Sequence, residues 1–131
     1  MKFLYISIVI LAVFAIVSCK KGNTSSKVIT LTATNSGTTV AALKGETIRI
    51  TLSNPGDGGY QLNDPKFDDS ILSLTGHTHQ APTTGNTGDF GTDTWTFSVK
   101  GSGKTTLSIS AARNSPGTDQ VMLFSGEISV N

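Results

Sequence analysis

The chain has 131 residues, with 10 Lys and Arg against 9 Asp and Glu and a single cysteine. Only 15% of it is charged, where about 25% is usual; Thr, Ser, Gly and Asn take up the difference, as is common in exported β domains. From Val28 onward the net charge is −3, which gives no support to a nucleic-acid partner, and one cysteine excludes any disulfide within the chain.

The N-terminus reads as a targeting segment. Met1-Lys2 is a short basic start, and Leu4 to Val17 is apolar except for Ser7. That run is shorter than the ~18 residues usually needed to span a bilayer and has the length of a signal-peptide core. It ends in Ile16-Val17-Ser18-Cys19, which resembles a bacterial lipoprotein processing box, where the thiol is acylated and cleavage leaves the cysteine first. An uncleaved anchor or an ordinary signal peptide is the plainer alternative. Residues 1–18 are therefore expected to be a lipoprotein signal peptide, and 19–27 a lipidated Cys19 with a flexible tether. Residues 28–131 are expected to form one domain with a modest core. Several acyl chains give stable membrane attachment, and Lys20, Lys21 and Lys27 lie where anionic head groups would attract them. The expected location is the bacterial cell envelope, at the outer membrane facing the periplasm. Surface exposure is the alternative, although Lys20-Lys21 stands where some exported lipoproteins carry acidic residues.

Beyond the tether, apolar residues alternate with period two and no helical period is visible. Ile29, Leu31 and Ala33 share a face, as do Val40 and Ala42, then Ile48, Ile50 and Leu52. Leu72 and Leu74 mark a further strand. Trp95, Phe97 and Val99 follow, with Trp95 expected in the core, then Leu107, Ile109 and Ala111. Val121 and Leu123 precede Ile128 and Val130, and Gly126 between them is a candidate bulge. Gly- and Asn-rich breaks separate these segments. The expected fold is an all-β, immunoglobulin-like antiparallel sandwich of seven or eight strands, without the antibody Cys…Trp…Cys pattern.

Three breaks are too long for tight turns: Asn54 to Gly59, Gly76 to Thr92, and Arg113 to Asp119. Long loops in compact domains are often functional. Alternate connections in a sandwich lie at one end, so these three are expected to meet there.

The first long break reads Asn54-Pro55-Gly56-Asp57-Gly58-Gly59-Tyr60, after an alternating strand. The second holds Gly88-Asp89-Phe90-Gly91 before Trp95-Thr96-Phe97. The third follows Gly103-Lys104-Thr105-Thr106-Leu107-Ser108-Ile109 and reads Arg113-Asn114-Ser115-Pro116. In this order and spacing the chain resembles the chagasin-like inhibitors of cysteine peptidases, whose loops carry Asn-Pro-Thr-Thr-Gly-Tyr, a Gly-x-Gly-Gly-like turn and Arg-Pro-Trp. Asn54, Pro55, Gly59 and Tyr60 match the first motif, with one residue inserted and both threonines missing. The second match is loose, and the third keeps Arg113 but loses the Pro-Trp pair. Thr39-Val40 and Lys44-Gly45-Glu46-Thr47-Ile48 are also family-like.

The resemblance implies a non-covalent inhibitor whose three loops form a wedge in the cleft of a papain-like enzyme, endogenous or host. The first loop covers the catalytic cysteine and the other two hold the cleft walls. It implies no catalysis, no cofactor and action as a monomer. Phe90 would supply apolar contact and Arg113 a hydrogen-bonding fork. Plainer readings stand beside these: Tyr60 as a packed strand residue, Arg113 as a solvated strand end, Phe90 as a plug of the sandwich end.

Other chemistries have less support. His77-Thr78-His79 would put two imidazoles on one side of an extended segment. Asp64, Asp68 and Asp69 lie upstream and Asp89 and Asp93 downstream, without ordered ligand spacing, and a solvated polar loop is expected. No EF-hand pattern is present, nor a Gly-x-Ser-x-Gly nucleophile context. The rival reading is a non-inhibitory envelope module that grips a protein or glycan, for which Tyr60, Phe67, Phe90 and Phe124 are the candidate exposed aromatics.

Overall fold

The computed structural model describes residues 26–113 and 119–131. The expected leader, Cys19, most of the tether, and Asn114, Ser115 and Pro116 lie outside the described residues. Eight strands form two four-stranded sheets. The first sheet holds β1 (Val28–Leu31), β3 (Thr47–Ser53), β6 (Thr92–Val99) and β5 (Leu72–Gln80), in that order. The second holds β2 (Thr39–Ala42), β8 (Asp119–Val130), β7 (Gly103–Arg113) and β4 (Gln61–Leu62). The short β1 and β2 run parallel to β3 and β8, and the other pairings are antiparallel. This is the immunoglobulin-like sandwich expected from the alternation.

Period two decides what is buried. Ile48 and Ile50 pair with Phe97 and Trp95 across β3 and β6, and from the other sheet Ile109 and Phe124 pair across β7 and β8. All six are buried in one core. Each such side chain contributes roughly 1.5–3 kcal/mol on burial. With a single cysteine and no internal disulfide open to it, the domain rests on this core.

The strand count of eight arises differently from the expected one. The segments around Val121 and Ile128 join into the single 12-residue β8, and the two-residue β4, too short to show alternation, completes the second sheet. The first strand stops at Leu31. Ala33 opens a 3₁₀ turn and is exposed, so it does not share the buried face.

The expected bulge at Gly126 is displaced to Leu123. Met122 pairs with Ser110 and Phe124 with Ile109, which leaves Leu123 as the extra residue. The inward face thereby passes from odd to even positions. Gly126 stays in register opposite Leu107 and is small for another reason: a Cβ there would come 3.1 Å from Cζ of Phe124 and 3.3 Å from the carbonyl of Thr38.

The stretch from Gly76 to Thr92 is not one loop. β5 continues to Gln80 and Thr92 opens β6, so the connection is residues 81–91. Gly76 and the polar residues after it hide the strand from a pattern search. Backbone pairing to β6 carries it on, through an irregularity between Leu74 and Gly76.

Candidate functional site

The β3–β4 and β5–β6 connections lie at one pole of the sandwich, joined by the Asn54–Gly91 backbone bond, and Arg113 at the end of β7 reaches the same pole at Gly58. Loop 1 is ordered by its own chemistry. The Asn54 side chain accepts a hydrogen bond from the Gly56 amide at 2.8 Å, and Gly56–Gly58 forms one 3₁₀ turn after Pro55. Gly59 closes the turn with φ of 72°, in the left-handed region, which glycine occupies without steric cost. Asp57, at the tip, is exposed.

Loop 2 (residues 81–91) packs beside loop 1. The Asn54 amide donates to the Gly91 carbonyl at 2.9 Å. Phe90 lies against Gly56 so closely that a Cβ on the glycine would come 2.8 Å from its ring. Gly88 lies against the Asp57 carboxylate, 3.2 Å from the place a Cβ would occupy. Gly91 has φ of 80°, and a Cβ there would come 2.0 Å from the Gln80 carbonyl. Within loop 2, Asp89 accepts from the Thr84 hydroxyl and the Gly91 amide, and these bonds hold its carboxyl below the ordinary value. Phe90 itself remains 45% exposed, so it does not plug the sandwich end.

On the other flank of loop 1, Arg113 ends β7 and Asp119 opens β8, directly paired. The Arg113 guanidinium grips Oδ2 of the Asp119 carboxylate through Nε at 2.8 Å and through Nη2. Its Nη1 reaches the Gly58 carbonyl at 3.4 Å, and its centre sits 4.8 Å from the middle of the Tyr60 ring. The Tyr60 hydroxyl donates to the other Asp119 oxygen at 3.0 Å. Hydrogen bonds from Arg113 and then Tyr60 hold the Asp119 carboxyl below its ordinary value. Tyr60, Phe90 and Arg113 therefore stand along one edge, with the loop 1 turn between them. The expected fork of Arg113 is engaged at the surface by Asp119.

The histidine pair has a different place from the solvated loop expected of it. His77 and His79 lie on β5, opposite Trp95 and Asp93. Both rings reach the Asp93 carboxylate, His77 Nε2 at 2.8 Å from Oδ1 and His79 Nδ1 at 3.2 Å from Oδ2. A carboxylate only accepts, so each imidazole donates. His77 also stacks on Trp95, with centroids 4.6 Å apart and planes 5° off parallel. Asn54 donates to Asp93 Oδ2 at 2.7 Å. Burial pushes the Asp93 carboxyl up, but the bonds from Asn54, His79 and His77 outweigh it and leave the group below its ordinary value. Among the described residues no three ligating groups are arranged to hold a metal ion.

Two candidate aromatics are committed to the core, one wholly and one in part. Phe124 is fully buried, and Phe67 packs edge-on against Phe97 at 5.3 Å. Asp68 closes a turn, accepting from the Ser70 amide and hydroxyl. The link from Asp93 to loop 1 and the role of Asp119 were not visible as sequence motifs. Their only signal was the presence of acids near the loop boundaries.

The domain is a two-sheet, immunoglobulin-like sandwich with loop 1, loop 2 and the paired ends of β7 and β8 together at one pole. The family model described as "Chagasin family peptidase inhibitor I42" matches residues 41–123, and the chain belongs to that family. Solved structures show the same fold. The cysteine protease inhibitor EhICP2 from Entamoeba histolytica is 17% identical, with a TM-score of 0.67 over 81% of this chain and 97% of that one. Amebosin is 24% identical, with a TM-score of 0.60 over 80% and 98%. PbICP-C, solved in complex with falcipain-2, is 17% identical, with a TM-score of 0.54 over 84% and 95%. No curated protein matches the sequence.

Proposed function

We propose that this chain is a lipid-anchored, monomeric inhibitor of papain-like cysteine peptidases. Its three loops fill the active-site cleft without a covalent step. The observation that carries this reading is the edge formed by the loop 1 turn, with Phe90 packed on Gly56 on one flank and Arg113 over Tyr60 on the other. Internal hydrogen bonds hold loop 1, so little conformational freedom remains to be lost on binding. Gly56 and Gly58 narrow the turn that enters the cleft. The exposed Asp57 presents a carboxylate towards the thiolate–imidazolium pair, and Phe90 offers apolar surface to a cleft wall. The residues proposed to meet the enzyme are Asn54 to Tyr60, Gly88 to Gly91, and Arg113 with Asn114, Ser115 and Pro116. Family membership supports the inhibitory role.

The anchor is proposed at Cys19, in the bacterial envelope on the periplasmic side of the outer membrane, on the strength of the leader and its terminal cysteine. β1 begins at Val28 opposite Thr47, whereas loop 1 follows Ser53 at the far end of β3. Six residues of strand separate the two ends, about 20 Å, so a tether before Val28 leaves the loops pointing away from the membrane.

Residues 20–131, titrated against papain and a cathepsin L-like enzyme, are expected to inhibit at submicromolar concentration. Full activity of both enzymes at micromolar concentration of the chain would end the inhibitory reading. Palmitate labelling of the full chain, lost in Cys19→Ala, tests the anchor separately.

A further inference from the structure

Asp93 occupies an inward-facing position at the loop end of β6, only 2% exposed. A carboxylate placed there needs partners, because a buried charge without them is costly. It has three. One is Asn54, the first residue of loop 1, and the other two are the imidazoles of His77 and His79. The second end of the Asn54 amide holds the Gly56 backbone N–H. The side chain of Asn54 thus spends both its polar atoms inside the protein, as a strut between the β6 carboxylate and the loop 1 turn. The imidazoles are 41% and 47% exposed; His77 bonds to Oδ1, and His79 shares Oδ2 with Asn54. They limit the directions in which Asp93 can present its oxygens to Asn54.

We propose that Asp93, oriented by His77 and His79, is a positioning residue for loop 1, so that two histidines on the outer strand β5 govern how readily the loop enters a peptidase cleft. This rests on the inhibitory reading of loop 1. Neither imidazole needs to touch the enzyme. The pair acts by raising the fraction of molecules whose loop is already in its binding shape, which scales the apparent affinity directly.

Stopped-flow inhibition of papain and hydrogen exchange at the Gly56 amide test the proposal on four variants. Asp93→Ala is expected to slow association about tenfold, the loss for a loop correctly shaped one-tenth of the time, with the dissociation rate unchanged. The double variant His77→Ala/His79→Ala is expected to slow association by a smaller factor, and the triple variant to be no slower than Asp93→Ala alone, since the histidines act through that carboxylate. Asp93→Asn restores association to within about twofold of the parent, because an amide oxygen still accepts from Asn54 and its NH2 donates to His77 Nε2 once that ring carries its proton on Nδ1. Gly56 is expected to lose exchange protection in Asp93→Ala and in the double histidine variant. Additive rate effects, a change confined to dissociation, or an unaltered Gly56 amide would overturn the proposal. If Asp93→Ala does not fold, the double histidine variant at its half-exposed positions decides alone. If the parent chain does not inhibit papain, the inhibitory reading falls, and Gly56 exchange still decides whether the histidines position the loop.

Discussion

Arg113 and Tyr60 are stacked, guanidinium over ring at 4.8 Å, and Asp119 binds both of them. This triangle joins the end of β7 and the start of β8 to the exit of loop 1. Arginine suits it because a planar fork can grip a carboxylate and lie on an aromatic face at once, which a lysine ammonium cannot do. Arg113→Lys is therefore expected to weaken inhibition of papain about tenfold, as is typical of a well-placed interface arginine, with little change in melting temperature. An inhibition constant equal to that of the parent would show that charge alone suffices there.

Loops 1 and 2 are coupled through Gly56 and Phe90. Restoring the family threonine by Gly56→Thr brings a side chain into the space of the Phe90 ring and of the Asn54 side-chain oxygen. The substitution alone is expected to weaken inhibition. Combined with Phe90→Ala it should cost less than the sum of the two changes, the non-additivity of groups in contact. Strictly additive inhibition energies would show that the loops act independently.

Gly91 carries the joint between loop 2 and β6. Its positive φ and the 2.0 Å approach of a Cβ to the Gln80 carbonyl leave no room for alanine, and the Gly91 carbonyl holds the Asn54 amide. Gly91→Ala is expected to destabilise the domain by about 2–4 kcal/mol, the range for backbone strain combined with a steric clash. Urea unfolding measures this, and a loss below about 0.5 kcal/mol, the scale of an unremarkable surface change, would contradict it.

Acid should loosen the Asp93 anchor. Its carboxyl lies below the ordinary 3.8 in the folded chain, so between those two values the unfolded chain binds a proton that the native one does not. Stability then rises with pH across that window. The contribution is complete above the ordinary value and is lost as pH falls through the folded one. Asp93→Asn lacks this titration. The stability advantage of the parent over Asp93→Asn is therefore expected to be fully present above pH 3.8 and to shrink towards pH 2, by thermal unfolding at a series of pH values. A difference independent of pH would refute the anchor's ionic character.

The two sheets and most of the core were legible from period two alone. Ile48, Ile50, Trp95, Phe97, Leu107 and Ile109 are buried because strand geometry sends alternate side chains to one face, and this needs no knowledge of neighbours. The candidate loops were legible as long, turn-rich breaks in that pattern. The second is narrower than its turn-rich composition suggests, because β5 carries polar residues beyond Gly76 and its continuation depends on hydrogen bonds to β6. Pattern gives no access to the pairing of Arg113 with Asp119, since that partner lies beyond an intervening loop.

Alternation along the chain is enough to set the class of fold and the faces of its longest strands. Tertiary structure decided parity wherever a strand carries an irregularity. Simple alternation sets His77 and His79 on the face opposite Leu72. The register shift after Leu74 returns them to the same face, beside Trp95 and Asp93, and the extra Leu123 does the same for the two halves of β8. The physical reason is that one unpaired residue reverses every side chain beyond it, and whether a residue is left unpaired depends on the neighbouring strand.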